Sequence, residues 1–135
     1  MVQTLQFTAN EQTISAGSGN TIINATFNPK FSGSKFIVSA VIPNCTATSG
    51  GSVLVQGRLG TSATPNSNTL IFDCQERMEG TGADDTRGIN VHDFGTFTSS
   101  GTGTHYVALV LTPDHSTSVA RHSTKVKVIV QEIAQ

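Results

Sequence analysis

The sequence predicts an all-β protein: an antiparallel β-sandwich, jelly-roll-like, of eight to nine short strands. No window sustains a 3.6-residue apolar period. Short β-branched runs recur instead, separated by clusters of Gly, Ser, Asn, Asp or Pro. Charged residues are only 13% of the chain while Thr, Ser, Gly and Asn abound, which describes a surface of hydroxyls and amides. The 135 residues are expected to form a single domain, 1–135, able to bury roughly two thirds of its unfolded surface without a metal or a disulfide.

Each element follows in order. Residues 3–8 and 12–15 are short strands, and "AGSGN" (16–20) turns the chain into a third at 21–27. In 34–43, "KFIVSAVI" puts Phe36, Val38, Ala40 and Ile42 on one face, with Ile37 and Val41 on the other. After "TATSGG" comes 51–58. After "GTSATPNSN" comes 69–77, whose Leu70, Phe72 and Cys74 oppose Asp73, Gln75 and Arg77. Strand 89–98 follows the Gly-rich "EGTGADDTRG", and strand 104–112 follows "SSGTG". The last strand, 123–133, sets Val126, Val128 and Val130 opposite Ile129 and Ile133.

Three of these strands carry surplus apolar surface. In "THYVALVLTP", Tyr106, Ala108 and Val110 point one way and Val107, Leu109 and Leu111 the other, so neither face is polar. Strands 34–43 and 123–133 share the excess. A second apolar face on an antiparallel strand calls for something to cover it.

Several function classes are excluded on composition or motif. Net charge is −1 and the eight basic residues are scattered, so no patch neutralises a run of phosphates and no nucleic-acid partner is expected. The N-terminus lacks a basic, apolar leader pattern, and no stretch nears the about 18 apolar residues of a membrane span, so no membrane insertion is expected. Without secretion, Cys45 and Cys74 are read as reduced, strand-buried thiols.

The sequence has no G-x-S-x-G, H-E-x-x-H, Walker loop or C-x-x-C, and the expectation is a protein that is not an enzyme and uses no cofactor. His92, His105, His115 and His122 form no recognisable pair; His92 and Asp93 with His105, His115 or His122 have the right chemistry for a divalent transition metal, but ordinary strand and loop positions are the better reading and no metal site is expected. Asp84 and Asp85 lack the spacing of a calcium loop and read as a solvated turn near Arg87. Trp is absent and Tyr106 is the sole tyrosine, which disfavours a strong glycan site within one protomer but not one built between subunits.

Two segments carry a resemblance. "TIINATFNPKFSGSKFIVSAVIP" (21–43) runs aromatic-x-Pro-Lys, a Ser-rich turn, then Ser-Lys and an alternating strand; "STKVKVIVQEI" (123–133) is a Val series closing on Glu-Ile. Together with "THYVALVL" in the penultimate place, they resemble small β-domains of tailed-bacteriophage virion proteins. The polar middle, 60–90, departs from that pattern. The resemblance implies a homotrimer on the phage particle, located in the virion after assembly in the bacterial host cytoplasm. The expected role is a capsid decoration (cement) protein stabilising the head, since the chain reads as complete from Met1; the alternative is a tail-fibre tip or receptor-binding knob, using loops 46–51, 60–68 and 79–88.

The implied partners are the chain itself, the major capsid protein or another virion protein, and, for the knob, a host surface glycan. The candidate trimer interface is Ile37, Val41, Val107, Leu109, Leu111, Ile129 and Ile133, with Tyr106, Ala108 and Val110 assigned to the protomer's own core. Burying about 1,000 Å² of apolar surface per protomer would contribute roughly 25 kcal/mol before association costs are subtracted. Residues 1–12 are the candidate docking arm, with Val2, Leu5 and Phe7 as its apolar contacts adding a strand to a partner's sheet edge.

Overall fold

Strand pairing in the computed structural model closes the chain into two facing antiparallel sheets. The structure describes residues 1–47, 51–78, 85–93, 97–114, 117–119 and 125–135, without the side chains of 44, 46, 47, 78, 85–93 and 117–119. The strands are β1 (Gln3–Ala9), β2 (Gln12–Ile14), β3 (Asn20–Phe27), β4 (Lys35–Ala47), β5 (Gly51–Gly60), β6 (Thr69–Met78), β7 (Asp85–Asp93), β8 (His105–Pro113), β9 (Thr117–Val119) and β10 (Val126–Ile133).

One sheet runs β3-β8-β5-β6. In the other, β10 and β9 lie along the same edge of β4, β1 and β2 pair outside them, and β7 lies on the opposite edge of β4. With β1–β2 and β9–β10 each treated as one interrupted strand, the order is that of an eight-stranded jelly roll, as the sequence predicts.

The core lies between the sheets, where the alternation of each strand sends its apolar set inward. From the larger sheet come Phe36, Val38, Ala40 and Ile42 of β4 and Val126, Val128 and Val130 of β10; from the smaller come Phe27, Val53, Val55, Leu59, Phe72, Val107, Leu109 and Leu111. At one end of the sandwich Phe27, Phe36, Phe97 and His105 pack ring to ring, with centroids 5.5 to 6.0 Å apart.

Bulges account for the places where strict alternation fails. Ile22 is an extra residue in β3 between Thr21 and Ile23, so two consecutive isoleucines are buried. Ile71 is the extra residue in β6: Gly57 pairs with Phe72 and Arg58 with Leu70, which buries Ile71 beside Phe72 and turns Leu70 outward, 40% exposed. Leu70 therefore leaves the face the alternation had given it with Phe72 and Cys74. In β4 a register shift between Ile42 and Cys45 accommodates Pro43, which has no N–H for the ladder.

Several boundaries differ from the sequence prediction: β4 runs on to Ala47 rather than 43, β7 ends at Asp93 rather than 98, and β10 begins at Val126 rather than 123. β7 begins at Asp85 rather than 89, and β9 forms where the polar "TSV" shows no alternation, because the C-terminal half of β4 and β2 supply its backbone partners.

Gly57 admits the Phe72 ring: a Cβ there would overlap it. Gly57→Ala is expected to lower the urea-unfolding free energy by roughly 1–3 kcal/mol. Gly101→Ala, with open space around the added atom, should be nearly neutral under the same measurement.

Candidate assembly surfaces

β8 is the central two-faced strand. Its inward set is Val107, Leu109 and Leu111, all fully buried in the core. Its outward set includes Ala108 and Val110, 1% and 4% exposed. This reverses the expected orientation: Val107, Leu109 and Leu111 belong to the protomer's core and not to a subunit interface. Alternation yields two apolar sets without saying which lies inside, and the bulkier set fills the space between the sheets.

The outward set is covered within the molecule. Ala108 lies in register between Asn24 of β3 and Arg58 of β5, and Val110 between Thr21 and Gln56. The Asn24 amide donates to the Ala63 carbonyl (2.9 Å) and the Arg58 guanidinium to the Asn68 carbonyl (3.2 Å), so the 61–68 loop is tethered on both sides of Ala108. At the other end the backbone of Gly19 passes so close that an added Cβ would lie 3.3 Å from Val110 Cγ1.

The remaining interface candidates gather on one surface. Ile37 and Val41 of β4 and Ile129 and Ile133 of β10 all point outward from the larger sheet and are half-buried. Opposite one another stand Ile133 and Lys35, Gln131 and Ile37, Ile129 and Ser39, Lys127 and Val41. Each direct pair joins an apolar to a polar residue, and the apolar ones are diagonal neighbours at about 7–8 Å. Ile133, Ile37, Ile129 and Val41 thus form a zigzag ridge flanked by Lys35, Lys127, Gln131 and Ser39.

The N-terminal segment is built into the protomer instead of extending as an arm. β1 pairs along its whole length with β10, and Leu5, Phe7 and Ala9 pack against the core. Val2 donates its N–H to the Glu132 carbonyl at 2.8 Å. The docking-arm expectation for Val2, Leu5 and Phe7 is corrected accordingly: the spacing of Leu5 and Phe7 matches Val130 and Val128, so intramolecular pairing satisfies both the ladder and the core.

A buried carboxylate secures this arrangement. Glu132 is fully buried, yet it accepts the N–H of Lys30 (2.8 and 3.0 Å to its two oxygens), that of Phe31 (3.1 Å) and the Gln3 side-chain amide (2.6 Å). Gln3 also donates to the Asn28 carbonyl at 3.0 Å. Ser99 completes the clasp: its hydroxyl donates to the Phe31 carbonyl (3.0 Å), its N–H to the Ser34 carbonyl (3.0 Å), and its own carbonyl receives the Gly33 N–H (2.8 Å). The held loop leaves Phe31 54% exposed. Burial acts to raise the Glu132 pKa, but the Ser34 hydroxyl, the Lys30 and Phe31 amides and Gln3 together bring it below the ordinary value.

The other polar candidates do not converge. His105 is buried, its Nδ1 2.8 Å from the Gly103 carbonyl and its ring among phenylalanines. His115, His122 and Asp84, like the side chains of His92, Asp85 and Arg87, lie outside the described residues. Among the described residues no three His, Cys, Asp or Glu side chains are placed to hold a metal, and no helix is long and apolar enough to cross a membrane.

Cys45 and Cys74 are free thiols. Burial pushes Cys45 up to about 12; burial, then the charges of Glu76 and Asp73, raises Cys74. Both favour the unreactive protonated form. Of the expected host-contact loops, 60–68 sits at the clasp end, while the strands flanking 48–50 and 79–84 arrive at the opposite end.

No family model and no curated protein matches the chain. Among solved structures it is similar to a chain of the infectious bursal disease virus VP2 subviral particle, with a TM-score of 0.48 and 11% identity over 97% of this chain and 33% of that one. It is also similar to a chain of the Gx strain of that virus, at 0.47 and 11% over 97% and 32%. A third likeness is to the T13 viral particle of the same virus, at 0.45 and 14% over 95% and 34%. The chain spans about a third of the length of each.

With its pKa depressed on folding, Glu132 contributes its full stability above the ordinary Glu range, about pH 4.3, and loses it as pH falls through the lower folded value. Glu132→Gln should cost roughly 2–3 kcal/mol near neutrality. Urea midpoints of the two proteins should differ most near pH 7 and draw together as pH falls below the ordinary Glu range.

Proposed function

We propose that this protein is a non-enzymatic structural subunit of a tailed-bacteriophage virion, a homotrimer on the particle surface acting as a capsid decoration protein. The observation that carries the reading is the Ile133–Ile37–Ile129–Val41 ridge on the outer face of β4 and β10. It lies on paired strands in the interior of a sheet, a rigid platform that needs little ordering on contact. Its flanking lysines and amides give a polar rim of the kind that surrounds apolar interface centres.

The resemblance of 21–43 and 123–133 to phage virion domains supports the same reading, and the clasp gives those two segments one structural purpose: Glu132 of the closing strand receives the amides of Lys30 and Phe31. Packing through a sheet face leaves both ends of the sandwich free to meet other virion proteins.

Sedimentation equilibrium at micromolar concentration should return three times the 14.1 kDa chain mass. Ile129→Asp and Ile37→Asp should each shift it to the single-chain mass while the circular dichroism of the folded protomer is kept. Leu109→Asp, aimed at the core, should unfold the protomer. A single-chain mass for the unaltered protein refutes the trimer. Quantitative gels of purified particles separate the roles: hundreds of copies mean decoration, a few dozen or fewer mean a fibre tip.

A further inference from the structure

We infer that the cleft between residues 60–69 and 97–100 is a binding subsite for a single neutral saccharide ring. It lies at the clasp end of the sandwich, where its wall residue Thr98 pairs with Lys35 beside the Ile133 end of the ridge, and none of the ridge isoleucines lines it. The cavity measures about 220 Å³, and its walls include Thr61, Ser62, Ser67, Thr69, Thr98 and Ser100, with Phe97 as the apolar surface. Among the described residues no charged side chain lines it, which selects against phosphate and carboxylate ligands.

Hydroxyls both donate and accept, as the hydroxyls of a sugar require, and an aromatic ring beside them matches the apolar face of a pyranose. The small volume fits one ring and not an extended chain.

Both walls are held before any ligand arrives. On one side Asn68 accepts the Ser62 N–H (3.0 Å) and donates to the Ser62 carbonyl (2.8 Å), and the Thr64 N–H donates to the Ser62 hydroxyl (3.1 Å). Gly60 is required there, since a Cβ would overlap the Asn68 amide. Across the cleft, Ser99 is locked to the 31–34 turn by its three hydrogen bonds, which fixes its neighbours Thr98 and Ser100. The Phe97 ring packs against Phe36 at 6.0 Å and edge-on to His105 at 5.7 Å. A preformed site loses little ordering entropy on binding.

The test is saturation-transfer NMR and amide-shift titration of the intact protein with the methyl glycosides of glucose, galactose, mannose and N-acetylglucosamine, beside sialic acid. At least one neutral glycoside should receive saturation and shift amides in 61–69 and 97–100 with millimolar affinity. Thr98→Val and Ser100→Ala, both on exposed positions, should each weaken that binding about fivefold without altering the fold. The assignment is overturned if none of the four glycosides binds, if the shifts fall elsewhere, if both variants bind unchanged, or if sialic acid binds best.

Discussion

A carboxylate placed where water cannot reach it organises one end of this molecule. Removing Glu132 from solvent is costly unless its oxygens are met by donors. The fold meets them with two backbone amides and a side-chain amide, which brings three separate stretches of chain together. Those stretches are the first strand, the last strand and the loop that carries the chain from one sheet to the other. If the carboxylate is to be buried, all three must be in place together, so the group acts as a check on the closure of the sandwich as well as a source of stability.

The placement of β1 follows from the same clasp. An unpaired β10 would present an open ladder and leave Val128 and Val130 short of cover. Gln3 reaches Glu132 and Asn28 from the end of β1, and Leu5, Phe7 and Ala9 then continue the inward row. With the edge of β10 occupied, the surface it shares with β4 is the interior of a sheet, flat and fixed in register. That is where the half-buried isoleucines collect. The apolar ridge is thus a consequence of how the protomer is closed.

The 61–68 loop solves a different problem and creates an opportunity in doing so. β8 has no polar face, and the loop is tethered beside Ala108 through Asn24 and Arg58, so the strand is covered without a partner. Folding the loop back brings its hydroxyls opposite Thr98 and Ser100. Covering the strand and lining the cleft are two results of one conformation.

Much of the fold was legible in the residues. The inward row Phe36, Val38, Ala40 and Ile42 and the row Val126, Val128 and Val130 are buried as their alternation requires. Alternation is a local property of the strand, so most of the strands and the sandwich class follow from the sequence alone, while β9, which shows no alternation, does not.

Part of the candidate site was legible too: Ile37, Val41, Ile129 and Ile133 stand on the face their parity assigns. What parity cannot do is say which of two apolar faces is inside. The exchange of Val107, Leu109 and Leu111 with Ala108 and Val110 had to wait for the packing of β8 between the sheets, and the same holds for Leu70, turned outward by the extra Ile71. Glu132 reads as an ordinary charged residue near a terminus, and the hydroxyls of 61–69 and 98–100 as ordinary turns. Their partners lie far along the chain, and only the tertiary structure, by setting distant backbone donors and loops side by side, decided what they do.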